Sequence, residues 1–199
     1  MAQAPANNSF RVALQPNSLY IATQTILNLA PNRIDFVTFQ RKAWHWSFFY
    51  TDATGKVTQL HWNVGDIGGV VGEYFGCRPI PEIVTRTKRS VYVSFIRLSG
   101  WSSPGLETLV ETLRELWKEH EGKPGPTLRA MSPMRSCRTW TLEAVATFVA
   151  NGWMTAAPDN LETIVTTESK SATNRYISIK AGWVTDSDVN QFRPTIRDV

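Results

Sequence analysis

The sequence has few cysteines and no long apolar run, and each shortage excludes a class of protein. Its two cysteines, Cys77 and Cys137, form no CxxC pair, and no His/Cys cluster has zinc spacing. The first residues lack the features of a secretory signal, and no window approaches the roughly 18 apolar residues of a membrane span. We therefore expect a soluble, cytoplasmic protein with free thiols, no metal, no cofactor and no membrane span.

Basic residues are present but scattered. The 21 Lys and Arg residues stand against 17 Asp and Glu, and the tightest basic cluster is the short segment 86–90. Tracking of phosphates needs a longer basic stripe, so we expect no nucleic-acid partner. The segment "GDIGGVVG" lacks the spacing and the following Lys-Ser/Thr of a phosphate loop, which argues against a nucleotide site.

Apolar patterning indicates an α+β fold in a single domain over residues 1–199, with a loose segment at 1–17. With 42% apolar residues, eight tryptophans and no dividing linker, the chain can build one core. Runs rich in β-branched and aromatic residues predict strands at 19–27, 34–40 and 91–98 and a hairpin within 41–64. The glycine-rich segment 65–81 predicts a loop or a short helical turn over the site.

The second half of the chain predicts mainly helices. Helical spacing of apolar residues predicts one helix with Ser103 as N-cap and a second over 136–153, which ends at Asn151–Gly152. Segment 160–170 fits either a helix or a strand, and 175–183 predicts a late strand. The element order indicates an antiparallel sheet packed against the cysteine-bearing helix.

Two His-Trp pairs mark the two arms of the hairpin. His45 precedes Trp46 and His61 precedes Trp62. Side chains of equal parity share one face of a strand. A turn centred on Ala53 makes the numbers of paired residues sum to 106 and puts His45 directly opposite His61, with Cβ atoms about 4.5–5.5 Å apart.

Cys137 is the candidate for a third reactive group. It follows Ser136 at the start of the second helix, where free N–H groups and the helix dipole favour a thiolate. The stripe that follows it is largely apolar, so we expect the thiol to point towards the sheet. Cys77 has no such setting and is interpreted as structural. Four aromatic residues near the predicted site suggest an apolar pocket for a small-molecule substrate: Trp44, Trp46, Trp62 and Trp140.

The segments "HWSFFYTDATGKVTQLHWNV" and "SCRTWTLEAVATFV" resemble two motifs of the LRAT-like and HRAS-like-suppressor phospholipase/acyltransferase proteins. Those proteins belong to the circularly permuted NlpC/P60, papain-like superfamily, in which the sheet histidine precedes the cysteine. The chain is also similar to an uncharacterised group of fungal proteins. The resemblance covers about residues 34–150. The residues after the cysteine differ from the Glu-His-Phe of the lipid enzymes, so their substrates do not carry over.

The resemblance implies Cys137 as nucleophile, His45 as general base and acid, and His61 as the group that orients the imidazole. The expected activity is acyl transfer or hydrolysis of an ester, thioester or amide in a small hydrophobic molecule, through an acyl-cysteine intermediate. Two alternatives remain open. One is a non-catalytic ligand-binding module, and the other is a catalyst whose histidines perform cyclisation or proton transfer without the thiol. The sequence leaves the oligomeric state open.

Overall fold

The computed structural model describes residues 10–28, 33–34, 44–67, 69–85, 90–123, 136–178 and 192–199. The strands of this described part are β1 Arg11–Val12, β2 Ser18–Asn28, β3 Arg33–Ile34, β4 His45–Thr51, β5 Val57–Ile67, β6 Val70–Ile80, β7 Ile83–Val84, β8 Ser90–Arg97 and β9 Thr195–Asp198. The helices are α1 Leu106–Glu115, α2 Cys137–Ala150 and α3 Leu161–Ser178, with a 3₁₀ turn at Lys118–His120.

The main sheet has the strand order β6-β5-β4-β2-β8-β9, and β3 pairs with the far end of β2. Every pairing in it is antiparallel except that of β8 with β9, which is parallel. The short strands β1 and β7 form a separate antiparallel pair. The predicted α+β class and antiparallel sheet against the cysteine-bearing helix are therefore confirmed.

The two faces of the sheet carry different covers. All three helices contribute to one large core cluster, which includes Leu109 of α1, Trp140 of α2 and Val165 of α3 against the sheet. The opposite face holds a smaller aromatic cluster, in which Phe49 and Tyr92 lie with residues of β1 and β7. No helix of the described part contributes to this second cluster, so we call this side the helix-free face, and its apolar cover is concentrated around the β1–β7 pair.

The prediction of a loop or a short helical turn at 65–81 is wrong, because this segment completes β5 and contains all of β6. Each strand has 11 residues, and the two pair along their whole length. The glycines allow close approach instead of breaking the strand. A Cβ on Gly72 would lie 2.9 Å from the carbonyl carbon of Gly122. Gly122 and Lys123 form a short segment, here called the strap, whose backbone hydrogen-bonds to that of Glu73.

Both predicted helices are present, but the first begins later than expected. Gly105 is its N-cap residue, at φ 91° and ψ 153°, and no side chain caps it. Ser103 Oγ instead accepts the N–H of Gly105 at 3.1 Å, so the hydroxyl stabilises the turn before the helix. The second helix fits its prediction: Ser136 Oγ caps the N–H of Thr139 at 3.2 Å, and Gly152 follows the end at φ 73°.

The last third of the chain differs from the prediction at one element. Of segment 160–170, residues 161–170 belong to α3, which continues to Ser178. The strand expected at 175–183 is therefore wrong over its first residues. Ala172 and Tyr176 are fully buried at helical spacing, and this spacing explains the helix. Residues 179–183 lie outside the described part, as do 1–9, 35–43 and 86–89. Strands β2 and β8 confirm the predictions at 19–27 and 91–98, and β1 gives structure to the segment expected to be loose.

Candidate functional site

A hydrogen-bonded histidine pair lies on the helix-free face of the sheet. His45 begins β4 and His61 lies in β5, and their Nε2 and Nδ1 atoms are 2.9 Å apart. The rings meet edge to face, with centroids 5.2 Å apart and an interplanar angle of 76°. The predicted closeness of the two histidines is confirmed.

The register that brings them together is not the one predicted. Phe48 pairs with Leu60 and Thr51 with Val57, so the numbers of paired residues sum to 108 and the turn is centred on Thr54. His61 is therefore diagonal to His45, not directly opposite. A shift of two preserves parity, so both rings still share a face, and diagonal neighbours are within reach of long side chains.

Burial keeps both histidines neutral at neutral pH. The pKa of His45 is lowered to about 4, mainly by burial and to a smaller extent by His61 and Arg78. Burial also lowers the pKa of His61 to about 4, with a smaller effect from Arg78. Two neutral rings joined by one hydrogen bond share a single proton between Nε2 and Nδ1. Within the described part of the chain, His45 Nδ1 and His61 Nε2 have no hydrogen-bond partner.

A network of neutral groups and one arginine lies beside the pair on the same face. Arg78 Nε donates to Gln59 Oε1 at 2.8 Å, and Gln59 Nε2 donates to Ser47 Oγ at 3.1 Å. The hydroxyl of Tyr92 reaches both Arg78 and Gln59, and burial raises its pKa. Ser47, Gln59 and Tyr92 are buried, whereas Arg78 is exposed. The network therefore connects the interior to solvent at Arg78.

Gly76 makes room for the His61 ring. It pairs with His61 across β5 and β6, and a Cβ at this position would lie 2.3 Å from His61 Nε2. A residue with a side chain would displace the ring, so glycine here is a steric requirement of the histidine pair.

The Cys137 thiol lies where β5 separates from β4, a place that we call the seam. The β4–β5 ladder ends at Phe48 and Leu60, and beyond it the N–H of Trp46 donates to Cys137 Sγ at 3.3 Å. The sulfur also lies 3.9 Å from the carbonyl oxygen of Trp44. The thiol thus takes the place of a missing ladder partner, beside the backbone that flanks His45.

The structure does not join the thiol to the imidazoles by a hydrogen bond. Cys137 belongs with the helix-side core, whereas the side chain of His45 alternates to the other face of β4. Among the described residues, the hydrogen bonds of the sulfur go to the backbone and those of the two rings go to each other. Burial raises the pKa of Cys137, contrary to the expected thiolate, because desolvation outweighs the backbone N–H groups around it. Both cysteines are free, as expected, and Cys77 is exposed.

The four tryptophans expected to line a pocket are interior residues. Their exposed fractions are 4% for Trp44, 1% for Trp46, 3% for Trp62 and 0% for Trp140. Trp44 Nε1 donates to Thr173 Oγ1 and Trp62 Nε1 to Glu73 Oε2, which ties them to the core. They pack the sheet against the helices and leave no surface for a substrate. An open cavity of about 500 Å³ lies instead at the hairpin turn, lined by Thr54–Val57 and Pro79–Pro81.

The residues around the histidine pair were not identified from the sequence, because the glycine content of their strand did not predict a strand. Arg78, Gly76 and Tyr74 alternate with Cys77, Phe75 and Glu73 along β6, and the glycines hid this alternation. The Gly-Gly sequence at 68–69, followed by "VV" and "EYF", is a hairpin signal that identifies the strand.

No group of three potential metal ligands occurs in the described part of the chain. None of the helices described there is long and apolar enough to cross a membrane.

Fold and site together define an α+β protein with a half-buried histidine pair on the helix-free face of its sheet. No protein-family model matches the chain, and neither a curated protein nor a solved structure shows significant similarity to it.

Proposed function

We propose that His45 and His61 form a general acid–base site that moves a proton within a small-molecule substrate bound on the helix-free face. The 2.9 Å hydrogen bond between two neutral rings, each with one nitrogen left for a substrate, carries the proposal. General acid–base catalysis needs a group that can take a proton at one point and a group that can give one at another. A histidine pair supplies both.

The proton path balances in one turnover. His45 Nδ1 takes a proton from the substrate, the shared proton passes from His45 Nε2 to His61 Nδ1, and His61 Nε2–H gives its proton to a second substrate position. No net proton enters or leaves, which suits an isomerisation or a ring closure. The pair ends with its tautomers exchanged, and proton exchange with water restores them. Because the pKa of each ring is lowered, a ring that takes up a proton passes it on and does not stay charged.

The experiment is exchange of deuterium from D₂O into a panel of small carbon acids, followed by NMR. We expect exchange by the native protein and its loss in His45→Gln and in His61→Gln. His120→Gln, which changes the third histidine, is the matched control and keeps the activity. Activity in both site variants equal to that of the native protein would refute the proposal. Binding of a panel member with no exchange would indicate the ligand-binding module instead.

An acyl-Cys137 enzyme of the permuted papain-like fold is the second candidate. Its support is the position of Cys137. This residue is the first of α2, it lies beside the start of β4, and its sulfur accepts the N–H of Trp46. In this mechanism Sγ attacks the carbonyl carbon of an ester, thioester or amide. His45 takes the thiol proton and passes it to the leaving group, and water or an acceptor alcohol then releases the acyl group. The His45 ring must reach the seam for this to occur.

Alkylation kinetics distinguish the two candidates. The second candidate predicts that Cys137 reacts with iodoacetamide well below the pH of an ordinary thiol, that His45→Ala removes this reactivity, and that Cys137→Ala abolishes turnover. The histidine mechanism predicts that turnover survives Cys137→Ala.

A further inference from the structure

Arg78 carries a positive charge that no described acidic group neutralises. Its guanidinium is held by Gln59 and Tyr92, which are neutral. Within the described ranges no carboxylate lies within salt-bridge distance of it. Arg11, Arg97, Arg138 and Arg197 have a carboxylate partner. Among the described residues, Arg114 and Arg193 instead lie over aromatic rings, and Arg175 donates to hydroxyl groups.

The groups around the histidine pair leave this charge uncompensated. On the same face, β2 contributes Gln24, β4 contributes Ser47, β5 contributes Gln59 and β8 contributes Tyr92. None of them is an acid that ionises at neutral pH. The positive charge of Arg78 is strong enough to lower the pKa of both histidines. Among the described residues, this part of the face therefore has an excess of one positive charge beside two neutral rings.

We propose that Arg78, together with His45 and His61, is an anion subsite that holds the carboxylate of an organic acid substrate next to the histidine pair. This inference rests on the proposed function, since it names the substrate class of the same site. The planar guanidinium fork matches a carboxylate. Of its five N–H donors, one goes to Gln59 and another to the hydroxyl of Tyr92, which leaves three for the ligand. A single positive charge balances a monoanion, which favours a carboxylate over a doubly charged phosphate.

Binding of the anion is coupled to the protonation of the pair. A negative charge beside His45 and His61 stabilises their charged forms and opposes the effect of Arg78. The complex therefore takes up protons, and affinity for the anion increases as the pH is lowered from 7 towards 5. By the same linkage, the bound acid makes the rings stronger bases.

The test is binding of sodium benzoate, followed through the ¹⁵N signals of the two imidazoles and by calorimetry. Benzamide serves as the neutral ligand of the same shape, and inorganic phosphate as the alternative anion. We expect benzoate to bind at millimolar concentration, more tightly at the lower pH, and benzamide to bind much less. Arg78→Gln should weaken benzoate binding about 10- to 100-fold, the effect of losing a charge-assisted hydrogen bond. Arg114→Gln, on a helix at the other face, is the matched control and should leave it unchanged.

Four results would overturn the inference. Benzoate does not bind, or it binds no more tightly than benzamide. Binding of benzoate is unaffected by Arg78→Gln, or phosphate binds more tightly than benzoate in a way that depends on Arg78. If Arg78→Gln does not fold, Arg78→Lys replaces it, since it keeps the charge but loses the fork and should weaken binding by a smaller factor. Deuterium exchange that is independent of Arg78 refutes the subsite and leaves the proposed function standing. Benzoate binding that depends on Arg78, without any histidine-dependent exchange, refutes the function and leaves the subsite.

Discussion

Replacement of Gly76 by alanine tests the geometry of the histidine pair. The added Cβ would lie 2.3 Å from His61 Nε2 and 2.4 Å from its Cδ2, about 1 Å inside van der Waals contact. The ring must move, and its hydrogen bond to His45 is lost. Overpacking costs about 1–3 kcal/mol and an unsatisfied buried group costs a similar amount, offset by about 0.5–1 kcal/mol from replacing a strand glycine. We expect the free energy of unfolding to fall by about 2–4 kcal/mol.

Gly65→Ala is the matched control in the partner strand. A Cβ on Gly65 meets only Tyr74 Cδ2 at 4.0 Å, so this substitution should raise the free energy of unfolding by about 0.5–1 kcal/mol. Urea titration of both variants measures the difference, and the ¹⁵N signals of the imidazoles show whether the shared proton is lost. A Gly76→Ala protein as stable as Gly65→Ala, with unchanged ring signals, would show that His61 does not lie over Gly76.

Three further predictions concern pH and the thiols. Because folding lowers the pKa of His45 and of His61 from 6.5 to about 4, the unfolded chain binds more protons below pH 6.5. The free energy of unfolding therefore falls as the pH decreases through that window, by about 2 kcal/mol per histidine at about pH 5. Urea titrations at several pH values measure this dependence. A variant with Gln at both histidines that shows the same dependence on pH as the native protein would contradict the prediction. Exposed Cys77 should react with iodoacetamide before Cys137, whose pKa is raised by burial, and peptide mass mapping in time gives the order. Cys137→Ala leaves the N–H of Trp46 without its acceptor and should lose about 1–3 kcal/mol in urea titration, whereas Cys137→Ser should lose less.

The histidine pair could be predicted from the sequence because it depends on parity more than on register. The predicted turn was wrong by one residue at its centre, which shifts the pairing by two and leaves His45 and His61 on one face. A loop longer or shorter by a single residue would have separated them. The helix that begins at Cys137 was equally accessible, since its cap and its apolar stripe are local features.

The partners of the pair and the place of the thiol could not be predicted in the same way. Strand β6 contains glycines that are explained only by their neighbours, His61 for Gly76 and the strap at Gly122 for Gly72. The side of the sheet on which Cys137 lies depends on how α2 docks, and no local pattern contains that information. Strand β4 is buried on both faces after His45, so its tryptophans had no alternation to separate core from pocket.

A second polar cluster in the same sheet contrasts with the histidine pair. Thr23, Ser94 and Ser169 are fully buried on the helix side, with oxygens 2.6–3.2 Å apart, and Ser169 also donates to the carbonyl of Val165. Each hydroxyl there bonds to its neighbours, so the cluster joins α3 to the sheet and leaves nothing for a ligand. The histidine face has a ring nitrogen on each imidazole and a guanidinium charge that the described residues do not satisfy. A fold selected for stability alone would not retain two histidines that weaken it in acid. Under the proposed function, a bound substrate completes these groups.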